Sequence, residues 1–253
     1  NIMKKLIKKI LNNIGYDISK IIYPLDKFPV VEAEKKIIEF IEISKNYSMG
    51  TKIRMYSLAQ AIKKVKIDKL EGDIVECGVW MGGNLILSLL LNDYYGLNKN
   101  IYGFDTFDGM TEPSKYDYDL NKNSADLKLQ ESKKIENIDN IWCYSSIEEV
   151  KRNISKNTTS NKYKLIKGPV ENTLNIEENL PKKISVLRLD TDFYESTKKE
   201  LEVLYPRLVK NGILIVDDYG HWQGSRKAVD EYFQNDELLL NYIDYTCRMI
   251  IKK

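Results

Sequence analysis

From Asp73 onward, short apolar runs alternate with longer stretches in which apolar residues return every third or fourth position. The runs are DIVEC (73–77), NIYGFD (100–105), YKLIKG (163–168), ISVLRLD (184–190) and ILIVDD (213–218). Helical spacing marks residues 84–91, 146–154, 194–208 and 224–233. Short strands interleaved with amphipathic helices predict an α/β fold, a mainly parallel sheet with helices on both faces. The closing YTCRMIIKK alternates and predicts a last strand.

Before Asp73 the pattern is helical. In residues 2–14, Ile2, Met3, Leu6, Ile7, Ile10, Leu11 and Ile14 share one side, and Lys4, Lys5, Lys8 and Lys9 share the other. Such a basic amphipathic helix suits an anionic membrane surface, or, in its commoner use, a face of its own protein or of a subunit partner. Further helices are predicted over 31–44 and 54–65, around the polar, glycine-bearing loop NYSMGT (46–51). The expected organisation is an N-terminal helical extension or lid over 1–70 and one domain over 71–253. Residues 106–140, rich in Asp, Lys, Tyr and Ser, interrupt the alternation after the second strand and read as a functional insertion at the active edge.

Charge narrows the function classes. Lysine plus arginine (39) nearly balance aspartate plus glutamate (37), so no global basic field argues for a nucleic-acid partner. Cys77, Cys143 and Cys247 are widely spaced and odd in number, which fits neither a metal-binding pair nor a disulfide framework. With no apolar run long enough to span a bilayer and no signal-peptide pattern, the expected compartment is the cytoplasm. His221 is the single histidine, so sites built from several imidazoles are excluded.

The candidate chemistry lies where strands end. ECGVWMGGN (76–84) follows the first strand and opens a helix, where glycines let a ligand approach the backbone and free N–H groups face it. Its GxxxGG spacing is not the GxGxxG that packs a pyrophosphate, and it suits a ligand with an adenosine and a carboxylate better. Asp105, ending the second strand, is placed to accept from ribose hydroxyls. Taken singly, these are also what turn glycines and a helix-capping aspartate look like. If VLRL and ILIV are neighbouring parallel strands, Asp190 and Asp217 end over one crevice, and Asp218 adjoins them. Carboxylates so gathered repel and require a hard cation, Mg²⁺, Mn²⁺ or Ca²⁺. Asp192 is then a candidate general base, and His221 a substrate contact or alternative base. The plainer reading makes Asp192 and Asp218 caps.

Taken together, NYSMGTKIRMYSLAQAI, GDIVECGVWMGGN, YGFDTFDGM, IKGPVENTL and LRLDTDFYESTKKELEVLYPRLVKNGILIVDDYGHWQGSRKAVDEYF resemble the macrocin-type (TylF/MycF/NovP-like) O-methyltransferases over residues 47–233. The resemblance implies a Rossmann-like class I fold dependent on S-adenosyl-L-methionine (SAM), with an N-terminal helical lid. It implies Asp190, Asp217 and Asp218 as ligands of Mg²⁺ (or Mn²⁺), and Asp192, or else His221, as the base. It places SAM on Thr51, Glu76, Gly78, Val79, Trp80, Gly82, Asp105 and Ser145, with residues 47–51 closing over its methionine end. The implied acceptor is a sugar hydroxyl of an antibiotic or other glycoside, and the implied assembly is a homodimer or larger; the acceptor expected first is a surface-glycan or capsule component or its precursor, and second a natural-product precursor. Met81 stands where the family's GVWRGG loop carries arginine. Three rivals share parts of the pattern: an NAD-dependent nucleotide-sugar oxidoreductase, which lacks its GxGxxG; a metal-dependent phosphoryl hydrolase, which has no use for the glycine loop; and a non-catalytic methyltransferase-like subunit.

Overall fold

A computed structural model describes residues 2–13, 28 and 30–253. The chain divides into two compact units, Asn1–Ala33 and Glu34–Lys253. In the first, helix α1 spans Ile2–Asn13. The exposed side chains of Leu6, Ile7 and Ile10 fall on the expected apolar side, and Ile14 lies outside the described residues.

The second unit is built on a seven-stranded sheet. Its strands are β1 Asp73–Cys77, β2 Ile101–Asp105, β3 Tyr163–Lys167, β4 Ile184–Leu189, β5 Leu208–Val216, β6 Asn241–Tyr242 and β7 Arg248–Ile251. Their order is β3-β2-β1-β4-β5-β7-β6. The first five pair in parallel, and β7 runs antiparallel to β5 and β6. All six residues of β4 are buried, which is why ISVLRL reads as an apolar run rather than an alternating one. Alternation nevertheless divides them. Leu187 and Leu189 join Val75, Cys77, Leu214 and Val216 in one core with Leu201, Leu204 and Val229, so Val186, Arg188, Ile74 and Glu76 face the other side.

The helices are α2 Lys35–Lys45, α3 Lys52–Ile67, α4 Gly83–Tyr95, α5 Ala125–Glu131, α6 Ile147–Asn157, α7 Val170–Thr173, α8 Tyr194–Leu204 and α9 Gln223–Tyr232. The core just described holds α8 and α9, while α2, α3 and α4 pack on one another. The second compact unit begins at Glu34, and α2 and α3 pack with α4 inside it. One glycine makes this possible. A Cβ on Gly83 would lie 2.6 Å from Ser48 Cβ and 2.7 Å from the Tyr47 carbonyl oxygen, to which Gly83 N–H donates at 3.0 Å. The loop after α2 is thus seated directly on the start of α4.

The 106–140 insertion is folded and pinned. Asp117 Oδ1 accepts from Tyr194 N–H at 2.8 Å, and Oδ2 accepts from Ser114 N–H at 2.6 Å. Phe193, at the N-cap of α8, offers no side-chain cap, so the insertion supplies the missing acceptor from far along the chain. Ala125 and Leu129 of α5 pack with Phe193 and Trp222. Among the described residues, no helix is long and apolar enough to cross a membrane.

Candidate functional site

The strand order reverses at β1, between β2 and β4, the place where an open α/β sheet leaves a crevice beyond its strand ends. A cleft of about 360 Å³ opens there, lined by Gly78, Val79, Trp80, Asp105, Arg54, Asp190, Asp192, Asp217, Asp218, His221, Trp222 and Tyr245 among others. That volume lies within the roughly 300–1,000 Å³ of small-molecule sites.

The floor depends on Gly78. Its φ is 84°, and a Cβ there would lie 2.0 Å from the Asp190 carbonyl oxygen. The loops after β1 and β4 therefore touch backbone to backbone, with Asp190 N–H donating to the Cys77 carbonyl at 2.9 Å. Gly78→Ala is expected to destabilise the protein by at least about 2 kcal/mol and to lower its thermal midpoint, since both the conformation and the contact are lost. Asp105 ties the same loop from the other side. Its Oδ2 accepts from Val79 N–H (2.6 Å) and Trp80 N–H (3.1 Å), and its Oδ1 from Phe107 N–H (2.7 Å). Burial raises its carboxyl above the usual range, against the pull of these amides. The residue expected at a ribose is first an anchor for the glycine loop, and it also borders the cleft.

Parallel pairing of Leu189 with Val216 sets Asp190 beside Asp217, as the adjacent-strand reading requires. Oxygens of Asp190, Asp192 and Asp218 lie within 4.8 Å of one another. Asp192 reaches this point through a tight turn: its φ is 65°, and Phe193 N–H donates back across it to the Thr191 carbonyl at 2.7 Å. Burial raises Asp190 and Asp218 well above the usual carboxylate range, with neighbouring aspartates adding to it. Burial, with the negative charges of Asp190 and Asp217, brings Asp192 to about 7. Asp218 Oδ2 is buried without a hydrogen-bond partner.

Asp217 stands apart. Its Oδ1 accepts from Arg188 Nη2 at 2.7 Å, and its Oδ2 pairs with Arg54 Nη1. Burial pushes its carboxyl up, but Arg188 and Arg54 outweigh this and hold it below the ordinary value. The converging oxygens are accordingly those of Asp190, Asp192 and Asp218, whereas the sequence pointed to Asp190, Asp217 and Asp218. The reason is the two arginines, neither of which the sequence reading used. Arg188 Nη1 also holds Glu76 Oε1 at 2.8 Å and Asp190 Oδ2 at 2.7 Å. Arg54, on α3, also pairs through Nε with Asp244 Oδ2 at 3.2 Å. An arginine inside a strand buried on both faces was the available signal, because a buried guanidinium must find carboxylates.

Four of the eight residues expected at SAM line the cleft: Gly78, Val79, Trp80 and Asp105. Glu76 lies behind the wall on Arg188, raised to about 7 by burial. Thr51 caps α3, accepting from Arg54 N–H at 3.2 Å and donating to Asp244 Oδ2 at 3.1 Å. Gly82 takes the left-handed position before α4, and Ser145 is buried just ahead of α6. Neither borders the cleft; Gly83, Asn84, Tyr47, Ser48 and Met49 do. His221 borders it with a buried, unpartnered Nδ1, and burial lowers its pKa, so the imidazole is neutral near pH 7.

The residues fit a hard divalent cation. Among the described residues, six carboxyl groups (Asp190, Asp192, Asp217, Asp218, Asp244 and Glu76) gather about the two guanidinium groups of Arg54 and Arg188, and Asp218 Oδ2 is buried with no partner. Carboxylate oxygens alone, without thiolate or imidazole, suit Mg²⁺ or Mn²⁺.

Comparison with known proteins extends this picture. The macrocin-O-methyltransferase (TylF) family matches residues 32–252. Over 231 residues the chain is 28% identical to 8-demethyl-8-(2,3-dimethoxy-alpha-L-rhamnosyl)-tetracenomycin-C 4'-O-methyltransferase of Streptomyces olivaceus, covering 90% of this chain and 82% of the relative. Over 182 residues it is 31% identical to demethyldecarbamoylnovobiocin O-methyltransferase of Streptomyces niveus, covering 71% of this chain and 64% of the relative. The solved O-methyltransferase NovP superposes with a TM-score of 0.70 at 27% identity, over 82% of each chain.

Proposed function

The chain belongs to the macrocin O-methyltransferase (TylF) family of SAM-dependent enzymes, and from that premise we propose that it methylates a sugar hydroxyl of a glycan or natural-product precursor with the help of a divalent cation. The observation that carries the reading is the meeting, in one cleft, of the Gly78 loop with the carboxylates of Asp190, Asp192 and Asp218. Relatives named for methylating a rhamnosyl-tetracenomycin and a novobiocin precursor support a sugar acceptor.

Methyl transfer from a sulfonium is an in-line displacement: the C–S bond breaks as the C–O bond forms, and the acceptor hydroxyl gives up its proton. The protein's part is chiefly alignment and proton removal. Gly78, Val79 and Trp80 form the wall against which SAM lies, with Asp105 keeping that loop in shape. Asp190 and Asp218 would hold Mg²⁺ or Mn²⁺, which when bound offsets the crowded negative charge and favours the ionised form of an acceptor hydroxyl. Asp192, aimed at the same point by its left-handed turn, takes the proton. Neutral His221 and the rings of Trp222 and Tyr245 also line the cleft, where they orient the sugar and exclude water.

The test is transfer of a labelled methyl group from SAM to a panel of glycosides and nucleotide-linked sugars, with Mg²⁺ and after chelation. Cation-dependent labelling of a sugar hydroxyl is expected. Tight NAD binding without SAM binding would overturn the assignment. Asp192→Asn is expected to lower turnover about a hundredfold while SAM and Mn²⁺ affinities stay within about twofold; loss of Mn²⁺ binding instead would make Asp192 a ligand and not the base.

A further inference from the structure

Glu200 of α8 is wholly buried, yet it does not line the cleft described above and takes no part in the chemistry proposed there. Its Oε1 accepts from Thr191 Oγ1 at 3.0 Å, and its Oε2 has no hydrogen-bond partner. Burial pushes the carboxyl well above its usual range, against the pull of its hydrogen bonds with Thr191 and Cys77. A polar side chain buried this way costs free energy. Packing does not require it, since its neighbours Leu201 and Leu204 fill the core with aliphatic carbons.

Besides the Cys77 thiol, Glu200 touches the residue between Asp190 and Asp192. The turn there is strained: Asp192 sits at φ 65°, bridged by the hydrogen bond from Phe193 N–H to the Thr191 carbonyl. Such a conformation is costly and persists only when its surroundings over-determine it. Thr191 is β-branched and stiff at χ1, so fixing its Oγ1 fixes the backbone that carries both aspartates. On the cleft side Asp192 meets the carboxyl groups of Asp190 and Asp218.

We infer that Glu200 is a positioning residue, clamping Thr191 from beneath so that Asp190 stays on the cation site and Asp192 stays beside it. The inference rests on the reading of that cluster as a divalent-cation site.

Mn²⁺ titration calorimetry on the full chain tests it, with SAM titration and thermal melting as controls. Glu200→Gln keeps the acceptor oxygen and is expected to bind Mn²⁺ within about twofold of wild type. Glu200→Leu and Thr191→Val are each expected to weaken Mn²⁺ binding about tenfold with SAM affinity unchanged. The double variant Thr191→Val/Glu200→Leu leaves no orphaned partner, so it should melt near the wild type yet bind Mn²⁺ no better than either single variant. Wild-type Mn²⁺ affinity in the double variant would overturn the proposal, leaving Glu200 merely a partner for Thr191. Equal weakening in Glu200→Gln would overturn it too, since the hydrogen bond would then not be what matters. A wild type that binds no Mn²⁺ would overturn the cation reading itself, and the proposal with it.

Discussion

Asp218→Asn is expected to abolish measurable Mn²⁺ binding and to lower methyl transfer by at least about a hundredfold, while SAM affinity stays within about twofold. The expectation follows from position and from charge. Asp218 carries the buried oxygen without a partner and lies within reach of Asp190 and Asp192, so an amide there removes a ligand and presents an N–H₂ where a cation would sit. On the proposed reading SAM lies on the loop shaped by Gly78 and Asp105, and the Asp218 carboxylate is not among the groups that hold that loop. Equal loss of SAM binding would mean that donor and cation sites are one, and would sink the division of labour proposed here. Asp217→Asn makes the informative companion. With both Asp217 oxygens engaged by Arg54 and Arg188, Mn²⁺ binding is expected to survive. Loss of Mn²⁺ from a folded Asp217→Asn protein would mean that Arg54 yields Asp217 to the cation, restoring the ligand set read from the sequence.

Much of the scaffold is written in hydrophobic periodicity, because a sheet covered on both faces demands apolar strands and its crossovers demand amphipathic helices. Strands β1 to β5 and helices α4, α6, α8 and α9 fall where the pattern puts them, within the few residues by which ends are blurred. Short elements escaped. The single turn of α7 and the two-residue β6 contain too few positions to show a period, and α5 lies inside a polar insertion whose order comes from Asp117 and from contact with Phe193 and Trp222. At the site, the aspartates and glycines were legible because they sit next to strand ends. Their partners were not. Arg54 reaches Asp217 from a helix more than a hundred residues away in sequence, and Glu200 reaches Thr191 from inside what reads as an ordinary helix face. Local pattern fixes where a carboxylate begins, whereas tertiary packing decides which of its oxygens remain free.

Arg188→Met shows how much of the fold hangs on that hidden charge, with an expected destabilisation of about 3–5 kcal/mol and a fall in thermal midpoint of about 10 °C. Methionine matches the length and apolar bulk of the stem, so packing changes little and the loss is electrostatic. The guanidinium is 5% exposed and touches Glu76, Asp190 and Asp217 at once. Without it those buried carboxylates must either face one another or take up protons. The second course sets the pH dependence. Burial has already raised Glu76 to about 7 in the folded protein, and removing Arg188 takes away the attraction that opposes this rise. A carboxyl whose folded-state pKa lies above its unfolded value contributes stability at low pH and loses it as pH climbs through the folded value. The penalty of Arg188→Met should therefore be smaller at about pH 5 than at about pH 8 when chemical denaturation is followed at both. A penalty that is the same at both would mean the carboxylates stay ionised and are relieved by water entering from the cleft. A penalty below about 1 kcal/mol at either pH would show that Arg54 alone is enough to hold the site together.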